Sequence, residues 1–266
     1  MRTTSGIFVV DRYLPKYHLP TYVLKMSIIG IDHTVNVIIA AFVVLISIVF
    51  YFTYHRFKTT KKCVLILGTS GAGKTLVYTR LILKCFKVTQ TSTKENASQF
   101  ITGKGSSIDL LEVPGDKRLR ESIFQQFKKS ARGIIFVIDS STIEKELKDV
   151  ADFLYCILTD SDIIELCENI LIFCNKQDAP LAKGAGSIKT ILEKELNILR
   201  RTRSSALEHE GSDKDSCHLG SPAADFVFEQ LYPTTVDFAE GYANQGEASE
   251  GKYDLDQIIA WMDKTA

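Results

Sequence analysis

The chain is 266 residues long, enough for one substantial hydrophobic core and too short for several domains. Lys plus Arg and Asp plus Glu are both 32, so no basic surplus draws the chain onto nucleic acid or acidic substrates, and no direct nucleic-acid partner is expected. The six cysteines stand mostly singly in apolar stretches, with no C-x-x-C pair and no histidine cluster; this pattern reads as reduced, buried thiols of a cytosolic domain.

Residues 1–26 mix apolar and basic residues around Pro15 and Pro20 without a clear period, and residues 1–33 are expected to form an N-terminal tail on the lumenal side. Residues 34–54 contain no Asp, Glu, Lys or Arg. Some twenty helical residues at about 1.5 Å each span a hydrocarbon layer of roughly 30 Å, so this stretch predicts one transmembrane helix. A cleaved signal peptide is the rival reading, but the run starts far from Met1, exceeds the length of such a segment and has no small-residue cleavage pattern after it. Arg56, Lys58, Lys61 and Lys62 crowd behind the span, which places the C-terminal side in the cytosol and makes residues 55–62 a basic tether.

The soluble part, residues 63–266, alternates strands and helices. The apolar run at 63–67 predicts a strand, a glycine-rich loop follows, and residues 76–86 have helical spacing. Residues 98–102 and 108–113 form a predicted hairpin around Gly103 and Gly105, followed by a helix through 121–127. Strands at 134–138 and 170–174 alternate with helices at 143–158 and 188–201, and a last strand near 236–239 precedes a helix at 255–264. This order implies an α/β fold with a mostly parallel six-stranded sheet and helices on both faces. The polar stretch 202–222 is expected to be a loop.

Three motifs carry the chemistry. Gly68, Thr69, Ser70, Gly71, Ala72, Gly73, Lys74 and Thr75 match G-x-x-x-x-G-K-[ST] between a predicted strand and helix. Such a loop turns backbone N–H groups toward phosphate oxygens, brings the Lys74 charge to the β and γ phosphates and offers the Thr75 hydroxyl to Mg²⁺; the candidate contacts run on to Leu76. Asn175, Lys176 and Asp178 form N-K-x-D after a strand, where open α/β sheets bind ligands. The Asp178 carboxylate can accept from guanine N1 and N2, a donor pair that adenine lacks, so the expected nucleotide is GTP or GDP. A solvated turn is the plain alternative for that motif alone. Glu112 and Gly115 in Glu-Val-Pro-Gly stand where a carboxylate could support Mg²⁺ and an N–H could meet the γ phosphate, although a strand ending in a Pro-Gly turn would read the same way.

GTSGAGKTL at 68–76, TQTS at 89–92, EVPG at 112–115, FQQFKKSARGIIFVID at 124–139, KDVADFLY at 148–155, CNKQD at 174–178 and EKELNILRRTRSSA at 193–206 resemble the beta subunit of the signal recognition particle receptor, a membrane-anchored Ras-like GTPase of the Arf branch. The resemblance covers the chain from about Lys61 to its end. It implies a GTP- and Mg²⁺-binding, single-pass protein of the endoplasmic reticulum membrane, with its GTPase domain cytosolic. Its partners would be the receptor's alpha subunit and, through that subunit, the ribosome and the translocation channel. By the same resemblance Thr89, Gln90, Thr91 and Ser92 form the first switch, with Thr91 a ligand of Mg²⁺ and of the γ phosphate, and Ala243 touches guanine O6.

Departures from the family pattern fall beside the γ phosphate. Glu112 replaces the usual aspartate, and Asp116 replaces a histidine that would orient the attacking water. Asp116 reads equally as the N-cap of a helix starting at Lys117. Tyr242-Ala243-Asn244 keeps only the alanine of the usual Ser-Ala-Lys. An Arf-like trafficking GTPase with its own exchange and activating proteins is the second reading, and an anchor that has lost catalysis is the third. The membrane span argues against the second, since Arf-like switches leave membranes reversibly through an amphipathic helix or lipid.

Overall fold

The computed structural model describes residues 33–58, 63–84, 94–210, 219–220, 224–244 and 252–265. The chain divides into two compact units, Met1–Lys58 and Thr59–Ala266. In the first, helix α1 runs His33–Lys58 and covers the stretch expected to cross a membrane. Its described side chains, at 35 and 37–51, are exposed and apolar apart from Ser47. Among the described residues no helix is long and apolar enough to cross a membrane.

The second unit holds β1 (Cys63–Gly68), α2 (Lys74–Leu83), β2 (Asn96–Ile101), β3 (Ser107–Glu112), α3 (Lys117–Phe127), β4 (Ala131–Asp139), α4 (Ile143–Leu158), α5 (Ser161–Leu166), β5 (Asn169–Asn175), α6 (Ala185–Glu210), β6 (Thr235–Glu240) and α7 (Asp256–Thr265). Six strands form one sheet in the order β2-β3-β1-β4-β5-β6. β2 pairs antiparallel with β3 and every other pairing is parallel. The mostly parallel six-stranded sheet expected from the sequence is therefore present.

Both faces are covered, which is why the central strands read as unbroken apolar runs. Leu65, Leu67, Ile134, Phe136, Ile138, Ile170 and Ile172 point into one cluster with Val150, Leu154, Ile157, Leu192 and Leu196. Val64, Ile66, Ile135, Val137, Leu171 and Phe173 alternate with them into the other, against Val77, Leu81, Ile258 and Met262. The register puts Ile66 beside Glu112, Gly68 beside Val137, Asp139 beside Asn175 and Cys174 beside Glu240. The C-terminal ends of β1, β3, β4, β5 and β6 thus share one edge, the usual ligand edge of such sheets.

Two features correct the sequence reading. The short helix α5 was not expected; Asp160 caps it by accepting from the N–H groups of Asp162 and Ile163. The polar stretch 202–222 is not a loop from its start, since α6 continues to Glu210. Arg200 Nη1 donates to the Leu219 carbonyl at 3.3 Å, and Leu219 itself is buried in the core. Cys63, Cys156, Cys167 and Cys174 are free thiols; burial pushes Cys63 up to about 11 and Cys174 to about 12, as expected for inert core cysteines. Cys85 and Cys217 lie outside the described residues.

Candidate functional site

The loop Gly68 to Lys74 leaves β1 and enters α2, whose N-cap is Gly73 at φ +91°, a left-handed conformation that suits glycine. A Cβ on Gly73 would strike the Asn175 side-chain amide. Asn175 is 2% exposed and its Nδ2 donates to the Ala72 carbonyl at 2.8 Å. The segment expected to read the base is thereby fastened to the loop expected to hold phosphates, across 103 positions of sequence. Asn175 Oδ1 is buried with no partner among the described residues, a polar atom that a ligand could satisfy.

Lys74 is 5% exposed, with Nζ donating to the Thr69 carbonyl at 2.6 Å. Burial pulls its ammonium down to about 8, with Arg120 pushing the same way and Glu112 and Glu146 opposing. A buried cation held on a neutral carbonyl is a site that an anion would complete. Gly115 closes the other side: a Cβ there would lie 2.6 Å from Lys74 Nζ and 2.7 Å from Ser70 Cα, so only glycine lets this backbone approach.

Glu112, 1% exposed, ends β3; its two oxygens accept from Thr75 Oγ1 and, at 2.7 Å, from Asn96 Nδ2. A hydroxyl and a carboxylate are thus in direct contact beside the phosphate loop, both hard oxygen donors suited to Mg²⁺. The extra methylene of Glu112 does not prevent this contact. Asp116 is exposed, and its Oδ1 accepts from Arg118 N–H at 2.9 Å as the N-cap of α3. Of the two readings of Asp116, this geometry expresses the cap. Thr89, Gln90, Thr91 and Ser92 lie outside the described residues.

At the base-reading end, Lys176 adopts φ +64° and its Nζ lies 2.5 Å from Asp139 Oδ2. Burial opposes ionisation of Asp139, but Lys176 and Ser141 outweigh it and hold the carboxyl below its ordinary range. Gln177 N–H donates to the Gly241 carbonyl at 3.2 Å and Gly241 N–H to Cys174 at 3.2 Å, which brings Ala243, buried at 3% exposure, to the same edge as Asp178. Asp178 is exposed there.

Three side chains that the motifs did not indicate belong to this framework. Asp139 seats Lys176. Glu146, in the first turn of α4, accepts from Thr69 Oγ1 at 3.2 Å and Thr142 Oγ1 at 3.3 Å. Arg80 of α2 donates to the Ala243 carbonyl at 3.1 Å. An arginine inside the apolar face LVYTRLIL was the available signal for Arg80; for the other two no local signal exists.

A parallel sheet with a phosphate loop at its first turn, a buried lysine and a linked N-K-x-D segment defines a P-loop GTPase domain of the Ras-like class. Residues 59–236 match the sequence profile of the Signal recognition particle receptor beta subunit. The chain is 38% identical to the signal recognition particle receptor subunit beta of Homo sapiens over 234 residues, 87% of this chain and 86% of that one. The mammalian signal recognition particle receptor superposes with a TM-score of 0.65 at 36% identity, over 77% of this chain and 100% of that chain. A structure of the receptor's SRb with GDP and Mg from Chaetomium thermophilum shares the fold, with a TM-score of 0.58 at 22% identity over 78% of this chain and 99% of its own. The chain belongs to the signal recognition particle receptor beta subunit family. The Arf-like alternative is less supported.

Proposed function

We propose that this protein binds GTP with Mg²⁺ and, in that state, holds the receptor's alpha subunit at the endoplasmic reticulum membrane for co-translational targeting, so that ribosomes reach the translocation channel. Gly68 to Leu76 hold the phosphates, with Lys74 at the β and γ oxygens and the Gly115 N–H at the γ phosphate. Thr75 and Thr91 ligate Mg²⁺, supported by Glu112; the ion neutralises phosphate charge when bound. Thr89 to Ser92 form the switch that the partner reads, and Asn175, Lys176, Asp178 and Ala243 hold guanine. Helix α1 serves as a single-pass anchor, with residues 1–33 lumenal and 55–62 a cytosolic tether; its 26 residues reach about 39 Å at 1.5 Å each, beyond a hydrocarbon layer of about 30 Å.

The observation that carries the reading is the Asn175–Ala72 hydrogen bond beside Gly73, which joins the two halves of a nucleotide site that sequence motifs only suggest separately. Asp178→Asn tests it, because the substitution replaces one acceptor oxygen with a donor. GTP affinity should fall while xanthosine triphosphate, whose 2-oxo group accepts that donor, gains. Unchanged GTP binding in a titration removes the guanine assignment. Lys74→Ala should abolish tight GTP binding and capture of the alpha subunit together; capture that persists without nucleotide would support an anchor independent of GTP.

A further inference from the structure

The C-terminal half of the base pocket is held by a side chain from the phosphate-binding helix. Arg80, 5% exposed, lies six residues beyond Lys74 on α2, about 9 Å along the axis. Its Nε donates to the Ala243 carbonyl at 3.1 Å and its Nη2 to Asn244 Oδ1 at 3.1 Å. The guanidinium also sits 4.8 Å from the centre of the Tyr253 ring, a cation-π contact.

The peptide just before is fixed as well. Tyr242 and Asp254 exchange backbone hydrogen bonds, Tyr242 N–H to Asp254 at 3.1 Å and Asp254 N–H to the Tyr242 carbonyl at 2.8 Å. In a trans peptide the N–H points opposite to the carbonyl of the preceding residue. With the Tyr242 carbonyl turned toward Asp254, the Ala243 N–H is aimed away from Asp254, while Arg80 holds the Ala243 carbonyl on the next peptide. Among the described residues that N–H donates to none. A backbone donor held in a fixed direction beside Asn175 and Asp178 is what recognition of a carbonyl oxygen requires.

We propose that Arg80 is a positioning residue for base recognition: its fork, braced by Asn244 and Tyr253, sets the Ala243 N–H for the O6 oxygen of the purine. The proposal rests on the guanine reading given above and deepens it. It also makes one helix serve both ends of the nucleotide, phosphates at its N-terminus and the base two turns on. Mutual fit follows, since a shift of α2 at the phosphates moves the donor at the base.

The test uses the full-length protein in detergent and titrates GTP, inosine triphosphate, which lacks only the 2-amino group read by Asp178, and 6-thioguanosine triphosphate, which changes only O6 to a larger and weaker acceptor. The wild type should prefer GTP over the 6-thio analogue by about tenfold, the worth of one neutral hydrogen bond. Arg80→Ala should lower GTP and inosine triphosphate affinity by about the same tenfold and leave the 6-thio analogue nearly unchanged, so that the O6 preference collapses while the 2-amino preference stays. Arg80→Lys keeps the charge but not the fork and should also lose the O6 preference. Asn244→Ala, which cuts one leg and spares the helix, should lose part of it if Arg80→Ala does not fold. A uniform fall for all three nucleotides in the Arg80 variants overturns the proposal and leaves the guanine reading standing, as does full selectivity in Arg80→Lys. Equal binding of GTP and the 6-thio analogue by the wild type overturns the O6 contact at Ala243 and this proposal with it.

Discussion

Lys74 is a cation that the fold buries before any phosphate arrives. Its ordinary value of 10.5 falls to about 8 through burial, so between those values the unfolded chain binds a proton that the folded chain lacks. Stability of the nucleotide-free protein should therefore rise with pH across that window and carry the full penalty below it. A bound phosphate reverses the preference and keeps the ammonium charged. Nucleotide binding at pH 9 should accordingly take up about one proton and at pH 7 almost none, which calorimetry in buffers of different ionisation enthalpy measures. Equal uptake at the two values would show that Lys74 does not face the phosphates. Asp116 makes a second test at this scale, because one carboxylate carries a cap and a charge. Asp116→Ala should cost about 1 kcal/mol of stability through the lost cap. Asp116→Asn keeps the cap and removes charge near a transition state already rich in it, so single-turnover hydrolysis should rise with the thermal midpoint unchanged. A slower Asp116→Asn protein would make the carboxylate a working group.

α3 follows the Glu112–Gly115 turn directly, and its position depends on one arginine. Arg120 is 1% exposed, donates to both Asp149 oxygens at 2.8 Å and lies 4.4 Å from the Phe153 ring centre. Its hydrogen bond is the main force holding the Asp149 carboxyl below its usual range. Arg120→Ala should cost about 2 kcal/mol, less than breaking a fully buried pair because Asp149 keeps water contact. Chemical denaturation measures it, and a cost near zero would mean that α3 holds by its apolar contacts alone. Helix α4 matched its sequence expectation at both ends because its apolar period is regular and long. The last turns of α6, from Thr202 on, read as loop in the sequence because the stretch 202–222 is polar and rich in Ser, Gly, Asp and Glu. What keeps them helical is tertiary: Arg203 pairs with Asp152 and lies 4.4 Å from the Tyr155 ring centre, and Arg200 reaches the Ala224 carbonyl at 2.7 Å. The site divides the same way. Lys74, Asn175 and Asp178 were legible because phosphate and base chemistry demand those residues at short spacings. Arg80, Asp139 and Glu146 act on partners 37 to 163 residues away, and no local pattern records such contacts.

At the scale of the molecule, the six strands and both core clusters lie within Thr59–Ala266, apart from the unit that contains α1. Every described residue of the proposed nucleotide site is in that second unit, so anchoring and binding should separate cleanly. A fragment starting at residue 59 should fold, bind GTP within about twofold of the full chain and, loaded with GTP, still capture the alpha subunit, since it keeps every described residue of the proposed site. The full chain, in contrast, should stay with microsomes through alkaline carbonate and leave only in detergent. Lysines at the helix centre sharpen the distinction: Val44→Lys and Ile46→Lys each add about 3 kcal/mol to insertion, so the double variant should be released by carbonate while its GTP affinity is unchanged. Carbonate release of the unaltered chain would remove the membrane span, and a fragment that is folded but blind to GTP would place part of the nucleotide site before residue 59.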